Sequence, residues 1–261
     1  MREILEVAIA AAREAGRIQR QRVGRLGHVE YKEANDPVTE VDLLCEREII
    51  RRIQERFPGH DILAEESGGR EGVSSPHKWI IDPLDGTINY AHGFPCYAVS
   101  IAFESEGVLR AGVAYNPSLD ELFVAARGEG ATLNGERIRV SGIDTLDRSL
   151  LATGFAPAVV LRSLDNNIEN FHRFMKVAQA VRRPGSAVMD LCYTAMGRFE
   201  GFWEMELKPW DLAAGVLIVE EAGGRVTRFD GAPFTIYGPE VLASNGLVHQ
   251  AMIDVFAAAA D

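Results

Sequence analysis

The deciding stretch of the sequence is Trp79-Ile80-Ile81-Asp82-Pro83-Leu84-Asp85-Gly86-Thr87-Ile88-Asn89-Tyr90. Its apolar start predicts a short buried strand. The strand is expected to end at Asp82, because Pro83 has no backbone N–H with which to extend a ladder. A second acid, Asp85, then opens a tight turn toward a possible helix.

Asp82 and Asp85 would repel each other on one rigid corner unless a cation lies between them. A ligand set made of oxygen atoms favours a hard ion such as Mg²⁺ over zinc. The backbone N–H groups of Gly86 and Thr87 would face an anion such as phosphate. The structural alternative is that Asp82 caps a turn and that Asp85-Gly86 is an ordinary turn dipeptide. This stretch alone leaves both interpretations open.

Composition narrows the class of protein. The chain has 261 residues, is 47% hydrophobic and carries a formal net charge of -11. This length allows one large domain or two smaller ones that share a cleft. The acidic charge argues against direct nucleic-acid binding, and it means that an anionic substrate would need bound cations.

The cysteines and the N-terminus indicate a cytoplasmic protein. Cys45, Cys96 and Cys192 are scattered and lack CxxC spacing, which predicts reduced thiols. The six histidines show no zinc-binding spacing. The amphipathic pattern that follows Met1, with charges at Glu6, Arg13 and Glu14, is unlike a signal peptide, so none is expected. None of the apolar runs approaches the length needed to span a membrane.

In the first half of the chain, apolar spacing predicts helices over residues 4–18 and 39–53. Short turns from Cys96 to Ser141 then predict an antiparallel meander. Its strands are Tyr97–Phe103, Val108–Tyr115, Glu121–Ala126 and Arg137–Val140.

The second half alternates strands with helices, which predicts βα units and a largely parallel or mixed sheet. The predicted strands are Leu150–Thr153, Val181–Arg183 and Phe199–Trp203. The predicted helices are Ile168–Ala180, Ala187–Met196 and Asp211–Ala222. A boundary within residues 142–148 divides the chain into an N-terminal half, 1–145, and a C-terminal half, 146–261.

Several polar residues are ambiguous when taken singly. Thr39 and Asp42 resemble a helix capping box, although an acid aimed into an active site would have the same spacing. Glu65-Glu66 ends a short strand and could join a cluster with Asp82. Asp211 opens a helix, where an acid in the first turn has a purely structural explanation.

Taken together, these motifs resemble the inositol monophosphatase family of Mg²⁺-dependent, Li⁺-sensitive phosphatases. The resemblance covers essentially the whole chain, and the doubled signature is far more specific than any single piece. The matching motifs are Glu65-Glu66, Asp82 to Thr87 with Asn89-Tyr90, Gly185-Ser186-Ala187, Glu204, Trp210 to Gly215 and Glu220-Ala222-Gly223-Gly224. The resemblance implies a layered α/β/α/β/α sandwich, with an antiparallel sheet in the N-terminal half and a mixed sheet in the C-terminal half. It also implies a homodimer.

The resemblance further implies two or three Mg²⁺ ions. Glu65, Asp82 and the Leu84 carbonyl would hold the first ion. Asp82, Asp85 and Asp211 would hold the second, and a third, weaker ion would lie near Glu65. Two such ions activate a water molecule and stabilise the entering and leaving oxygens of a phosphoryl transfer.

The remaining roles implied by the resemblance concern catalysis and the substrate. The catalytic residues would be Thr87 and Asp42, which orient or deprotonate the attacking water, together with Glu65. Phosphate would lie on the Gly86 and Thr87 N–H groups. Lys32 would match a family lysine near the site. The hydroxyl groups of the substrate would meet Asp85, the Ala187 N–H, Glu204 and Asp211.

The expected substrate is inositol monophosphate or a related small polyol phosphate. Fructose 1,6-bisphosphate, histidinol phosphate and a 3′-phosphoadenosine phosphate are alternatives within the family, and the loop 155–167 is where selection between them is expected. An alternative of another class is a regulatory protein that binds partners in transcription.

Overall fold

The computed structural model describes residues 1–25, 29–33, 36–69, 75–155 and 167–258, without the side chains of residues 29–33, 36, 37 and 69. The described helices are α1 Arg2–Arg22, α2 Glu40–Arg56, α3 Thr87–Ala91, α4 Ile168–Val177, α5 Ala187–Ala195, α6 Pro209–Glu221 and α7 His249–Ala257. The described strands are β1 Val29–Glu33, β2 Asp36–Thr39, β3 Asp61–Ala64, β4 Gly68–Gly69, β5 His77–Asp85, β6 Ala98–Ser105, β7 Val108–Asn116, β8 Glu121–Ala126, β9 Gly130–Leu133, β10 Glu136–Arg137, β11 Leu150–Thr153, β12 Ala180–Arg182, β13 Gly201–Met205, β14 Arg225–Thr227 and β15 Glu240–Ser244.

The larger sheet of the described residues has the strand order β10-β9-β8-β7-β6-β5-β3-β4. Its neighbouring strands are antiparallel, as expected, except that β3 and β5 run parallel. In that pair Ala64 lies beside Ile81. The parallel pairing matters for the site, because the residues that follow both strands emerge at the same edge of the sheet.

The second sheet has the order β12-β11-β13-β15-β14. Strand β11 is parallel to both β12 and β13, whereas β15 is antiparallel to β13 and β14. The predicted mixed sheet is therefore confirmed. The sequence did not predict β14, β15 or α7, which are short. Strand β15 pairs with β13 and β14, and α7 packs against Trp203 of β13.

Alternating burial along the strands builds the layers. In β5, Ile81 packs into a core with α1 and α2, while its neighbour Ile80 faces a core that contains α5 and α6. In β13, Phe202 faces the α5 and α6 layer, and Trp203 packs with Phe174 of α4 and with residues of α7. The layers therefore follow the order helices, sheet, helices, sheet, helices, which confirms the predicted sandwich. The division at residue 145 stays a prediction.

Two strand boundaries differ from the predictions. Strand β5 continues through Pro83 to Asp85, because its pairing with β6 skips register between Asp82 and Asp85 and no Pro83 N–H is needed there. The strand predicted at Arg137–Val140 is confined to β10, which follows a β9 hairpin that the sequence did not predict. Asn134 and Gly135 form the hairpin turn, and both have positive φ.

Across the described residues, none of the helices has both the length and the apolar character that are needed to cross a membrane.

Candidate active site

Three carboxylates from two distant parts of the chain meet at the edge where β5 ends. Asp82, Asp85 and Asp211 each place an oxygen within 4.8 Å of the others. Asp82 and Asp85 lie at the broken register of β5, and Asp211 lies in the first turn of α6. Three converging carboxylate oxygens are a ligand set that suits a hard divalent cation.

The pKa values of the acids in this cluster are raised, as expected for carboxylates that are buried close to one another. Burial, and after it the charges of Glu65, Asp85 and Asp211, hold the pKa of Asp82 well above its usual range. Burial and the charge of Asp85 do the same to the pKa of Asp211. Burial raises the pKa of Asp85 to about 6. A bound cation would stabilise the ionised carboxylates, so the residues present fit a metal.

Glu65 lies where the parallel β3–β5 pair places it. The Glu65 backbone N–H donates to the Ile81 carbonyl at 3.2 Å, directly beside Asp82. Its carboxylate is near enough for its charge to raise the pKa of both Asp82 and Asp211. The structure therefore brings Glu65 to the neighbourhood of the three-carboxylate cluster.

The oxygens at the turn are held by specific donors. The Leu84 N–H donates to Asp82 Oδ1 at 2.8 Å. The Asp85 carboxylate accepts from the Ser186 hydroxyl and, at 3.0 Å, from the Val188 N–H. Ser186 also accepts from the Met189 N–H as the N-cap of α5. The start of α5 is therefore fastened directly to one of the clustered acids.

Thr87 and Asp42 form a hydrogen-bonded pair beside this cluster. The Thr87 hydroxyl lies 3.0 Å from Asp42 Oδ1 and 3.0 Å from the Leu84 carbonyl oxygen. The other Asp42 oxygen accepts from the Thr39 N–H at 2.9 Å, which completes the capping box of α2. Burial raises the pKa of Asp42. One carboxylate thus serves both interpretations of the sequence, because it caps a helix and also contacts Thr87.

Gly86 permits the turn between the acids and α3. Its φ is 86°, which lies in a backbone region that residues other than glycine rarely adopt. A Cβ at this position would lie 2.9 Å from the Cys96 carbonyl oxygen. Asn89 reinforces the turn, because its amide donates to that same oxygen at 2.7 Å and to the Pro184 carbonyl at 2.9 Å. The turn is therefore braced by two separate parts of the chain.

Glu204 extends the acidic surface away from the three-carboxylate cluster. It is buried on β13, and burial, followed by the charges of Asp211 and Asp85, raises its pKa well above the usual range. The charge of Arg183 opposes this shift. A Cβ on Gly154 would overlap the Glu204 carboxylate, so a side chain there would have to displace it. Ala187, the remaining predicted contact, is the first residue of α5.

Sequence reasoning missed one buried acid, Asp190 of α5. It is 1% exposed, and its Oδ1 has no hydrogen-bond partner within the described part of the chain. Burial and the charges of Glu204 and Asp85 raise its pKa well above the usual range. The available signal was its helical spacing, which places it on the same face as Ala187, three residues earlier.

Two predictions lie outside the described residues. The side chain of Lys32 is one, and the loop residues 156–166, where substrate selection was expected, are the other.

Comparisons with known proteins agree with this geometry. The sequence matches the model of the inositol monophosphatase family over residues 1–260. An inositol-1-monophosphatase of Synechocystis is 45% identical over 97% of this chain and 88% of its own length. A putative Nus factor SuhB of Neisseria meningitidis serogroup B is 41% identical over 99% of both chains.

Solved structures share the fold as well. An inositol monophosphatase from Anabaena superposes with a TM-score of 0.90 at 41% identity, covering 98% of this chain and 96% of that one. The family match and these relatives support the predicted phosphatase. This chain therefore belongs to the inositol monophosphatase family.

Proposed function

We propose that this protein is a Mg²⁺-dependent phosphomonoesterase that hydrolyses inositol monophosphate or a related small polyol phosphate. The observation that carries this proposal is the convergence of the Asp82, Asp85 and Asp211 oxygens within 4.8 Å of one another. Family membership supports the proposal, as does the 45% identity to the inositol-1-monophosphatase of Synechocystis.

The proposed ligands for two or three Mg²⁺ ions are Glu65, Asp82, the Leu84 carbonyl, Asp85 and Asp211. When bound, Mg²⁺ supplies positive charge that acidifies a water molecule and stabilises the phosphate oxygens. The raised pKa values of Asp82 and Asp211 support this assignment, because burial and the neighbouring acids outweigh the opposing charge of Lys208 on Asp211.

Thr87 and Asp42 are the proposed catalytic pair, and Glu65 acts with them on the water. The Thr87 hydroxyl can donate its proton to Asp42 Oδ1 at 3.0 Å, which leaves its lone pairs free to accept from the attacking water. The Thr39 N–H donates to Asp42 Oδ2 at 2.9 Å, which holds the carboxylate with its Oδ1 beside Thr87. The Gly86 and Thr87 N–H groups would stabilise the phosphate oxygens.

The alcohol part of the substrate is proposed to contact Asp85, the Ala187 N–H, Glu204 and Asp211. Carboxylates accept hydrogen bonds, so this surface suits an alcohol that carries further hydroxyl groups. The burial of Glu204 would strengthen each such bond, because water competes less in a buried site.

The test is phosphate release from inositol 1-phosphate, fructose 1,6-bisphosphate, histidinol phosphate and a 3′-phosphoadenosine phosphate, with Mg²⁺ and with a chelator. We expect the highest kcat/KM for inositol 1-phosphate, and only with Mg²⁺. Asp85→Asn and Asp211→Asn should each lower kcat by at least ~10²-fold, comparable to losing one strong electrostatic stabiliser. Near-wild-type turnover in either variant would remove that residue from the proposed ligand set.

A second candidate function is a regulatory, protein-binding role in transcription. The observation that favours it is the 41% identity to the Neisseria protein named as a putative Nus factor. If wild type and Asp85→Asn were equally inactive on every substrate above, the protein-binding role would be preferred.

The proposed enzyme is cytoplasmic, homodimeric and inhibited by Li⁺, and it binds no nucleic acid directly.

A further inference from the structure

The main chain between Asp82 and Asp85 leaves the ladder, so its carbonyl groups need other partners. The pairing of β5 with β6 skips register at this point, while Pro83 and Leu84 remain buried. Buried carbonyl oxygens without a donor are costly. The Leu84 carbonyl oxygen lies 3.0 Å from the Thr87 hydroxyl oxygen, and the Pro83 carbonyl accepts from the Gln19 side chain, Nε2 to O, at 2.8 Å.

Gln19 lies in α1 and contacts the chain on both sides of the turn that carries Asp82 and Asp85. It is fully buried, and its backbone carbonyl accepts from the Tyr90 hydroxyl of α3 at 2.9 Å. One residue thus contacts both Pro83, before the turn, and Tyr90, after it. Within the described chain its Oε1 has no hydrogen-bond partner. A leucine or methionine would avoid that cost, so the amide is explained by the donor that it supplies.

The Pro83–Leu84 peptide connects Gln19 to Asp82. Its C=O is held by Gln19 at 2.8 Å, and its N–H donates to Asp82 Oδ1 at 2.8 Å. The peptide is planar and trans, so its C=O and N–H point in opposite directions. The plane can turn only as a unit, about ψ of Pro83 and φ of Leu84, so a contact that holds its C=O also holds its N–H. Holding the carbonyl toward α1 therefore aims the N–H at the Asp82 carboxylate.

We propose that Gln19 is a positioning residue for metal binding, which orients the Asp82 carboxylate through the Pro83–Leu84 peptide. This inference rests on the proposed metal site. Gln19 touches neither the metal nor the substrate. Its contribution is to hold one Asp82 oxygen in place before the metal binds, so that less order has to be gained on binding.

The test compares Gln19→Met with Arg20→Met in the full chain. Gln19→Met keeps a similar volume and removes the N–H donor. Arg20→Met is the matched control, because Arg20 is the next residue of α1 and bonds Tyr115, at 2.6 Å, instead of the turn. The measurements are Mg²⁺ affinity by titration calorimetry and amide exchange of Leu84 in the metal-free protein.

We expect Gln19→Met to weaken Mg²⁺ affinity roughly fivefold or more, the size of one lost hydrogen bond, and to speed exchange of the Leu84 amide. Arg20→Met should change neither. Equal Mg²⁺ affinity in wild type and Gln19→Met would overturn the inference and leave the metal site standing. A wild type that binds no Mg²⁺ would remove the proposed function, and the inference with it. If Gln19→Met fails to fold, Gln19→Asn, whose amide is too short to reach Pro83, gives the same comparison.

Discussion

Thr87 shows how much one hydroxyl group is expected to contribute. Its oxygen lies 3.0 Å from both Asp42 Oδ1 and the Leu84 carbonyl oxygen, and its side chain is only partly buried. We expect Thr87→Ala to lower kcat by about 10²-fold or more, the usual size of a general-base contribution, while Thr87→Ser keeps most of it. Steady-state kinetics and thermal melting measure the two effects separately.

The control for this prediction is Thr132→Ala on β9, which removes a hydroxyl that donates to the Val124 carbonyl at 3.4 Å. Its kcat should equal that of wild type. If Thr87→Ala lost activity only in proportion to a lower melting temperature, the catalytic role of Thr87 would be wrong and its contact with Asp42 would be structural.

At the scale of elements, β14, β15 and α7 are joined by one buried histidine. His249 of α7 contacts Ser244 Oγ through Nδ1 and Thr227 Oγ1 through Nε2, both at 2.8 Å. Burial, with the charge of Arg225, lowers the pKa of His249 to about 4. This pKa lies below the unfolded value of about 6.5, so the histidine contributes stability that is complete above about pH 6.5 and is lost as pH falls through about 4.

We therefore expect the free energy of unfolding of the wild type to fall more steeply than that of His249→Gln between about pH 6.5 and about pH 4. Glutamine can still bond both hydroxyl groups and does not titrate. Urea denaturation of both proteins at each pH measures the difference between their free energies of unfolding. The contributions of acids that titrate in both proteins cancel in this difference. Parallel pH profiles would contradict this prediction, because they would show that the pKa of His249 is the same in the folded and unfolded states.

Elements with local signals were predictable, and those that depend on distant partners were not. The α2 start follows from Thr39 and Asp42 alone, because a capping box is complete within four residues. The predicted end of β5 at Asp82 was wrong, because the skipped register at Pro83 depends on how β5 pairs with β6. At the site, the acids that the motifs named, Asp82, Asp85 and Asp211, lie close together, whereas Gln19 and Asp190 carry no motif. Their positions become informative only when their burial is known.

At the scale of the whole molecule, the layered fold assembles the site from both halves of the chain. The middle layer, α5 and α6, lies between the two sheets and brings Ser186 and Asp211 to the acids of β5. The same fold therefore concentrates negative charge in its interior. Packing has to compensate for that charge when no cation is present, which ties the stability of the molecule to metal binding.

This coupling predicts how Mg²⁺ stabilisation depends on pH. In the metal-free protein, burial raises the pKa of Asp85 to about 6. The folded pKa lies above the unfolded value of about 3.9, so this contribution to stability is complete below about pH 4 and is lost as pH rises through about 6. The proposed Mg²⁺ would bind the ionised carboxylates, so it should add most stability at the pH where this contribution has been lost.

We expect saturating Mg²⁺ to raise the melting temperature more at about pH 7.5 than at about pH 5, because protons compete for the same oxygens at the lower pH. Excess metal at about 100 times its dissociation constant stabilises a fold by about 2.7 kcal/mol, which a thermal shift resolves easily. Asp211→Asn should reduce the shift at both pH values and should melt higher than wild type without metal, since it removes one repelling charge. An equal Mg²⁺ shift at both pH values would mean that the metal binds away from these acids.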